Sequence, residues 1–292
     1  MDLTQTILEK DRDIRGWSGW QNLSEAAVAN LMAAHAIHIP LAMIENDVLR
    51  AYATYVLAHS HPRFWVCPSS SSGKHHPPQH NQVSEIMPGL EVGGLISHTW
   101  HVMAFAFDSM RRYGYNGKLS RKELDAWART RDCLAFACIL HDWAKGGDPT
   151  KGQWGSYVPD HGELAADIIE GKMLFRFLIS FPEIRGDAET DLRGLVLLAA
   201  GAIRHHMGIW SRDKLKPSSP ELSDLERMIQ DGDMWCSRNC IKAFDDKVVV
   251  ETLRSMSPSE LSGCQTTVVS QAVPDAPAAE PEPTKSTEDF IW

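Results

Sequence analysis

Leu134-Ala135-Phe136-Ala137-Cys138-Ile139-Leu140-His141-Asp142-Trp143-Ala144-Lys145 is the stretch on which the reading of this chain turns. Wound at 3.6 residues per turn, Leu134 to Leu140 is apolar on every side, so it predicts a helix buried at the centre of the fold. At its end stand a histidine and an aspartate. Neighbours on a helix point about 100° apart, so the two can grip one ion from either side. A buried aspartate is costly unless it is paired or bound to metal. Taken alone, the pair reads equally as a helix-ending polar pair bonded to nearby backbone.

Outward from this stretch the pattern stays helical. Residues 120–144 read as one helix, with Ser120 as N-cap and Glu123 completing a capping box. Gly146-Gly147 ends it, and 146–160 reads as a loop. Further helices are predicted over 160–177, 192–204 (apolar throughout) and 221–244, with a turn at 217–220. Upstream, Gly94 or Ser97 can start a helix carrying His98, Val102, Phe105 and Ser109. Residues 60–92, rich in Pro, Ser and Gly, read as a long loop, and 24–59 as two helices separated at Pro40. No strand and no internal repeat is predicted. The fold class expected is all-α. Residues 1–92 would form N-terminal helices and a Ser/Gly/His-rich loop, 93–256 the core, and 257–292 a disordered acidic Pro/Ala-rich tail.

The thirteen histidines fall at patterned positions. His98 sits on an apolar helix face, His161 opens a helix, His205-His206 end the apolar helix 192–204, and Asp233 lies inside an amphipathic helix. Histidines and carboxylates on helices beside apolar sequence are what a metal site in a helical bundle requires. A lone buried histidine reads as a satisfied core residue. Five such residues do not.

The order His98 … His141-Asp142 … Asp233 resembles the HD-domain metal-dependent phosphohydrolase superfamily. Gly93-Gly94-Leu95-Ile96-Ser97-His98-Thr99 looks like the entry to that family's first ligand helix. Leu140-His141-Asp142-Trp143-Ala144-Lys145 looks like its core motif, and Gly232-Asp233 resembles its closing aspartate. The resemblance covers roughly residues 90–245. It implies an HD-type bundle with metal on His98, His141, Asp142 and Asp233, Asp231 being the competitor for the last place. His161, His205 and His206 look like the extra histidines of members that bind two ions. The segment from Phe64 to Pro77 looks like one found before the first ligand helix in a subset of the family.

Mixed nitrogen and oxygen ligands suit Mn, Fe, Co, Ni or Zn better than Mg alone. Within such a site Lys145 can neutralise a phosphate or pair with Asp142, and His161 or His205, if free of metal, can act as general acid. Ser71, Gly73, Lys74 and His76 can cradle an anionic phosphate. Arg204 is a further anion-binding candidate, a surface salt bridge its alternative. Trp210 and Trp235 read as core, with base stacking the alternative.

The formal net charge is −9. Residues 257–292 hold six acidic residues against Lys285, a net of −5, which leaves −4 for the rest. This argues against an extended cationic surface for duplex DNA and favours a small phosphorylated substrate, a nucleotide or short single strand. No apolar run approaches the ~18–20 residues that span a bilayer, and Met1 to Gln5 do not open a secretory signal. The six cysteines include no C-x-x-C pair, and Cys133 and Cys138 read as buried free thiols. Together these predict a cytoplasmic protein. The expected activity is cleavage of a phosphoester by metal-activated water. A non-catalytic nucleotide-binding or regulatory module on the same scaffold stays open, with Phe290-Ile291-Trp292 as a hook for a protein partner or a loose end.

Overall fold

The computed structural model describes residues 38–61, 64–65, 67–69, 83–87, 90–114, 121–155, 157–210 and 219–237. The helices are α1 (His38–Ala42), α2 (Asp47–Ala58), α3 (Gly94–Gly114), α4 (Arg121–Leu140), α5 (His161–Asp167), α6 (Leu174–Ser180), α7 (Asp187–His205) and α8 (Asp224–Cys236). The fold is all-α, with one small addition. Strands β1 (Val83–Met87) and β2 (Leu90–Gly93) pair antiparallel, with an irregularity between Glu85 and Met87. That hairpin corrects the expectation of no strand. Its signal was two short alternating runs around Pro88-Gly89. It hands the chain directly to α3 at Gly94.

The centre is α4, as its sequence demands. Residues Cys133 to Leu140 are all buried. Phe136 stacks on Tyr52 of α2, with centroids 5.8 Å apart. Each of the larger side chains here contributes about 1.5–3 kcal/mol by leaving water. Around α4 pack α3 and α7, and α8 lies along α3 and α7. Pro40 does not divide the N-terminal helices. It sits within α1, and α2 starts only at Asp47, where the Asn46 side chain accepts from the Leu49 amide at 2.9 Å. Asp132 of α4 accepts from the Glu45 and Asn46 amides at 2.9 and 2.8 Å, pinning that corner.

Two other boundaries differ from expectation. Helix α4 stops at Leu140, and 141–147 is a run of tight turns closed by i→i+3 bonds such as Lys145 N to Asp142 O at 3.0 Å. The rod expected over 160–177 is real but not uniform. A π-helical segment, Ile168–Met173, joins α5 to α6, and the Tyr52 hydroxyl donates to the Ile169 carbonyl within it. Helix α8 begins at Asp224 under a Ser223–Glu226 capping box. Ser120 and the tail 257–292 lie outside the described residues. Cys67, Cys133, Cys138 and Cys236 are buried free thiols. No helix among the described residues is long and apolar enough to cross a membrane.

Candidate metal centre

Five helix ends meet at one end of the bundle. His98 lies in the second turn of α3, His141-Asp142 follow the last residue of α4, His161 opens α5, His206 caps α7, and Asp233 is in the last turn of α8. Two glycines let the helices come that close. A Cβ on Gly162 would stand 2.7 Å from the Ile203 carbonyl and 2.9 Å from His206 Nδ1. One on Gly232 would stand 2.9 Å from the Val102 carbonyl. Each glycine adjoins a candidate ligand, His161 or Asp233, so helix spacing and ligand placement are set together.

Asp142, buried, is the hub. Its Oδ2 faces His98 Nε2 at 3.6 Å, His141 Nε2 at 3.5 Å and Lys145 Nζ at 2.6 Å. Its Oδ1 faces His161 Nε2 at 2.8 Å and His206 Nε2 at 3.6 Å, yet accepts no well-formed hydrogen bond. His98 Nε2 also meets His141 Nε2 at 3.3 Å and Asp233 Oδ1 at 2.9 Å. His161 Nε2 and His206 Nε2 are 3.2 Å apart. Two triads of donor atoms result, His98–His141–Asp142 and Asp142–His161–His206, sharing one carboxylate.

The outer nitrogens decide what the inner ones offer. His141 Nδ1 faces the Cys138 carbonyl at 2.8 Å, His161 Nδ1 the Val158 carbonyl at 2.9 Å, and His206 Nδ1 the Ile203 carbonyl at 2.7 Å. A carbonyl only accepts, so each of these Nδ1 atoms donates, and in the neutral ring Nε2 is left as a lone pair. With both rings neutral, His161 and His206 would point two lone pairs at each other across 3.2 Å. Nothing in that pair holds them together. A shared cation would. Bonds of 2.0–2.1 Å require donor spacings of about 3 to 3.4 Å, which the two imidazole–imidazole contacts at 3.3 and 3.2 Å match, while the spacings to Asp142 run from 2.8 to 3.6 Å.

Protonation states agree. Burial tends to raise Asp142, but Lys145, His141 and His161 outweigh it and hold the carboxyl well below its ordinary value. Asp233 is likewise lowered against burial, chiefly by the His98 hydrogen bond. Burial pushes His98 and His206 below the usual imidazole value. His141 is the exception, since Asp142 beside it more than offsets burial and raises it. The residues fit a divalent ion: ionised carboxylates and imidazole nitrogens converge in a buried site, and backbone carbonyls behind three of the rings orient them.

A comparison with known families finds that residues 95–233 match the HD domain. This stretch is an HD domain. No curated protein and no solved structure matches the chain. The HD domain runs from the residue after Gly94 to the aspartate that meets His98, and so encloses the whole cluster.

Other expected site residues fall in three groups. Lys145 belongs to the centre, bonded to Asp142. Asp233, rather than Asp231, meets His98; Asp231 is half-buried, its carboxyl raised by that burial. His205 is a correction. It adjoins His206, but its Nδ1 lies 2.5 Å from Glu226 Oε1, and neither triad contains it. Arg204 takes its salt-bridge alternative, because its guanidinium binds Asp167 at 2.9 Å and Glu170 at 2.7 Å on the flank of α7. Trp210 and Trp235 are 59% and 49% exposed rather than core. Ser71, Gly73, Lys74, His76 and Phe290-Ile291-Trp292 lie outside the described residues.

Sequence reasoning missed a strap of chain over the HD domain's site. Trp143, next to Asp142, donates to Ser60 Oγ at 2.8 Å, and Leu95 N bonds the Cys67 carbonyl at 3.0 Å. The Tyr157 hydroxyl donates to the Pro68 carbonyl at 2.5 Å. Trp154 stacks on His61, with centroids 5.4 Å apart, and fills the space where a Gly146 Cβ would be. Polar side chains spaced irregularly through loops carry no periodic signal, which is why they went unread.

Proposed function

We propose that this HD domain hydrolyses a phosphoester of a nucleotide or short single-stranded nucleic acid, using a divalent ion on each side of Asp142. The observation that carries the reading is the split of that carboxylate, with Oδ2 serving His98 and His141 and Oδ1 serving His161 and His206. Divalent ions there supply Lewis-acid charge that polarises a phosphoryl oxygen and acidifies water.

The chain's own residues do the rest. Asp142 and Asp233 stay ionised, and the carbonyls behind His141, His161 and His206 hold those rings in one orientation. Lys145 Nζ, half-buried on Asp142 Oδ2, balances the carboxylates and lies within reach of an incoming phosphate. With no ion on the Oδ1 side, His161, once protonated at Nε2, can instead pass a proton to the leaving oxygen. Ser69 is the last described residue of the strap, and we assign Ser71, Gly73, Lys74 and His76 beyond it to phosphate contact. A chain of net charge −9 favours a small substrate over long duplex DNA.

The test is metal content of the purified protein, followed by assay against nucleoside mono- and triphosphates, cyclic nucleotides and short single strands with Mn or Mg. His141→Ala should lose bound metal and turnover together. Substrate bound but never turned over with any metal would overturn hydrolysis in favour of a binding module.

A further inference from the structure

Helix α8 buries a line of polar side chains beside its apolar ones. Glu226, Gln230 and Asp233 stand at i, i+4 and i+7, one face of the helix. Gln230 is the most deeply placed of the three, 2% exposed. Polar groups so buried are kept where they have partners. Asp233 reaches His98 Nε2 at 2.9 Å. The other two both reach His205, a residue that neither triad of donor atoms contains. Glu226 Oε1 meets its ring at Nδ1, and Gln230 Nε2 donates to its backbone carbonyl at 2.8 Å.

That carbonyl governs His206. The His205 carbonyl and the His206 N–H belong to one planar peptide unit, so a bond that fixes the first fixes the plane from which the His206 side chain departs. On the other edge of the plane the His206 amide reaches the Ile203 carbonyl at 3.4 Å, a long bond. Here α7 ends, and the last carbonyls of a helix have no partner within it. Gln230 supplies one from α8. Gly208 makes room for it, since a Cβ there would stand 3.0 Å from Gln230 Cδ, and φ at this residue is +56°. The placement of His206 is narrow. Its Nε2 lies 3.2 Å from His161 Nε2 and 3.6 Å from Asp142 Oδ1.

We propose that Gln230 is a positioning residue for the ion on the Oδ1 side of Asp142, its amide holding the 205–206 peptide so that His206 Nε2 meets His161 Nε2 and Asp142 Oδ1. This rests on the reading of one ion on each side of that carboxylate. Gln230 belongs to neither triad and acts through the last turn of α7.

Calorimetric titration of the chelator-stripped full chain with Co²⁺ tests this, with the cobalt absorption bands as a second readout. The wild-type chain should take up two ions in two steps, the weaker on the Oδ1 side. Gln230→Met keeps the length of the side chain and loses the donor. It should leave the tighter step unchanged, weaken the second by about 10–100-fold, the effect of losing a group that orients a ligand from behind, and alter only the second ion's absorption. Circular dichroism checks that the variant folds. Should it not fold, Gly208→Ala, which crowds the Gln230 amide, carries the same test in the same direction. A folded variant with both steps as in the wild type overturns the positioning role alone. Two steps weakened equally mark a general loosening of the bundle and overturn it as well. A wild-type chain that takes up a single ion overturns the two-ion reading, and this role with it.

Discussion

On one side of Asp142 the cluster is rich in charge. His98 and His141 are joined there by Asp233 and by Lys145. Among the described residues the other side holds His161 and His206, whose Nε2 atoms face each other at 3.2 Å beside Asp142 Oδ1. The first side has one oxygen of Asp142 with Asp233 close by, 2.9 Å from His98 though outside the triad, and the second has the other oxygen of Asp142. Charge count and ligand number govern retention of such ions. The Oδ2 side should therefore keep its ion through purification, and the Oδ1 side should exchange it.

Removing what the two sides share has the largest effect. Asp142→Ala should strip both ions, seen by elemental analysis, and lower kcat/KM on the order of 10³-fold or more, since metal charge supplies several kcal/mol. Next come substitutions that separate the sides. His98→Ala should lose the tightly held ion, whereas His161→Ala should retain it and lose only the exchangeable one. Equal loss in both would erase the asymmetry.

Gly232→Val tests how the charged side is assembled. The new side chain must push α8 off the Val102 carbonyl, which is 2.9 Å from a Cβ there. A loss of about 1–3 kcal/mol in urea unfolding is expected, with Asp233 drawn away from His98.

A smaller effect is acid sensitivity of the metal-free chain. Asp142 and Asp233 are lowered from 3.8 in the fold, so below 3.8 the unfolded chain takes up protons that the folded chain refuses. Stability is therefore complete above that pH and lost as pH falls through the folded values. Thermal melts in chelator should show this step, and Asp233→Asn should shrink it.

The smallest expected effect is that of Arg204→Ala. Its partners Asp167 and Glu170 lie outside the cluster, so turnover should hold and stability should move by ~0–1 kcal/mol. A collapse in activity would place that guanidinium in substrate contact after all.

What was legible in the sequence was whatever had a period or a fixed neighbour. The apolar run to Leu140 announced the central helix, and the residues after it announced the dyad. His98 stood on an apolar helix face that should look inward, while His161 and His205-His206 were marked as histidines at helix ends beside apolar sequence. The sequence did not separate His205 from His206 because, at the end of a helix, neighbouring residues diverge by about 100°. Which of them turns inward depends on where α7 meets α5 and α8. That depends on Gly162 and Glu226, which lie far along the chain. Trp210 and Trp235 were expected inside because they adjoin apolar helices, yet both ride on the outward side of their turns. The strap over residues 60–69 was hidden for a different reason, because single contacts such as Tyr157 to Pro68 leave no pattern in composition.

The π-helical segment from Ile168 to Met173 carries a last consequence. A wider coil spends an additional residue on the same path, so it works as a phase shifter between the two ends of the rod. At one end His161 faces Asp142 and His206, and at the other Phe177 meets Tyr52 and Tyr55. Wound as regular α-helix with every residue kept, the segment would rotate the two ends against each other by about 100°. Only one of them could then stay in place, so the spacing between His161 and Phe177 is as much a determinant of ion binding as the imidazole itself.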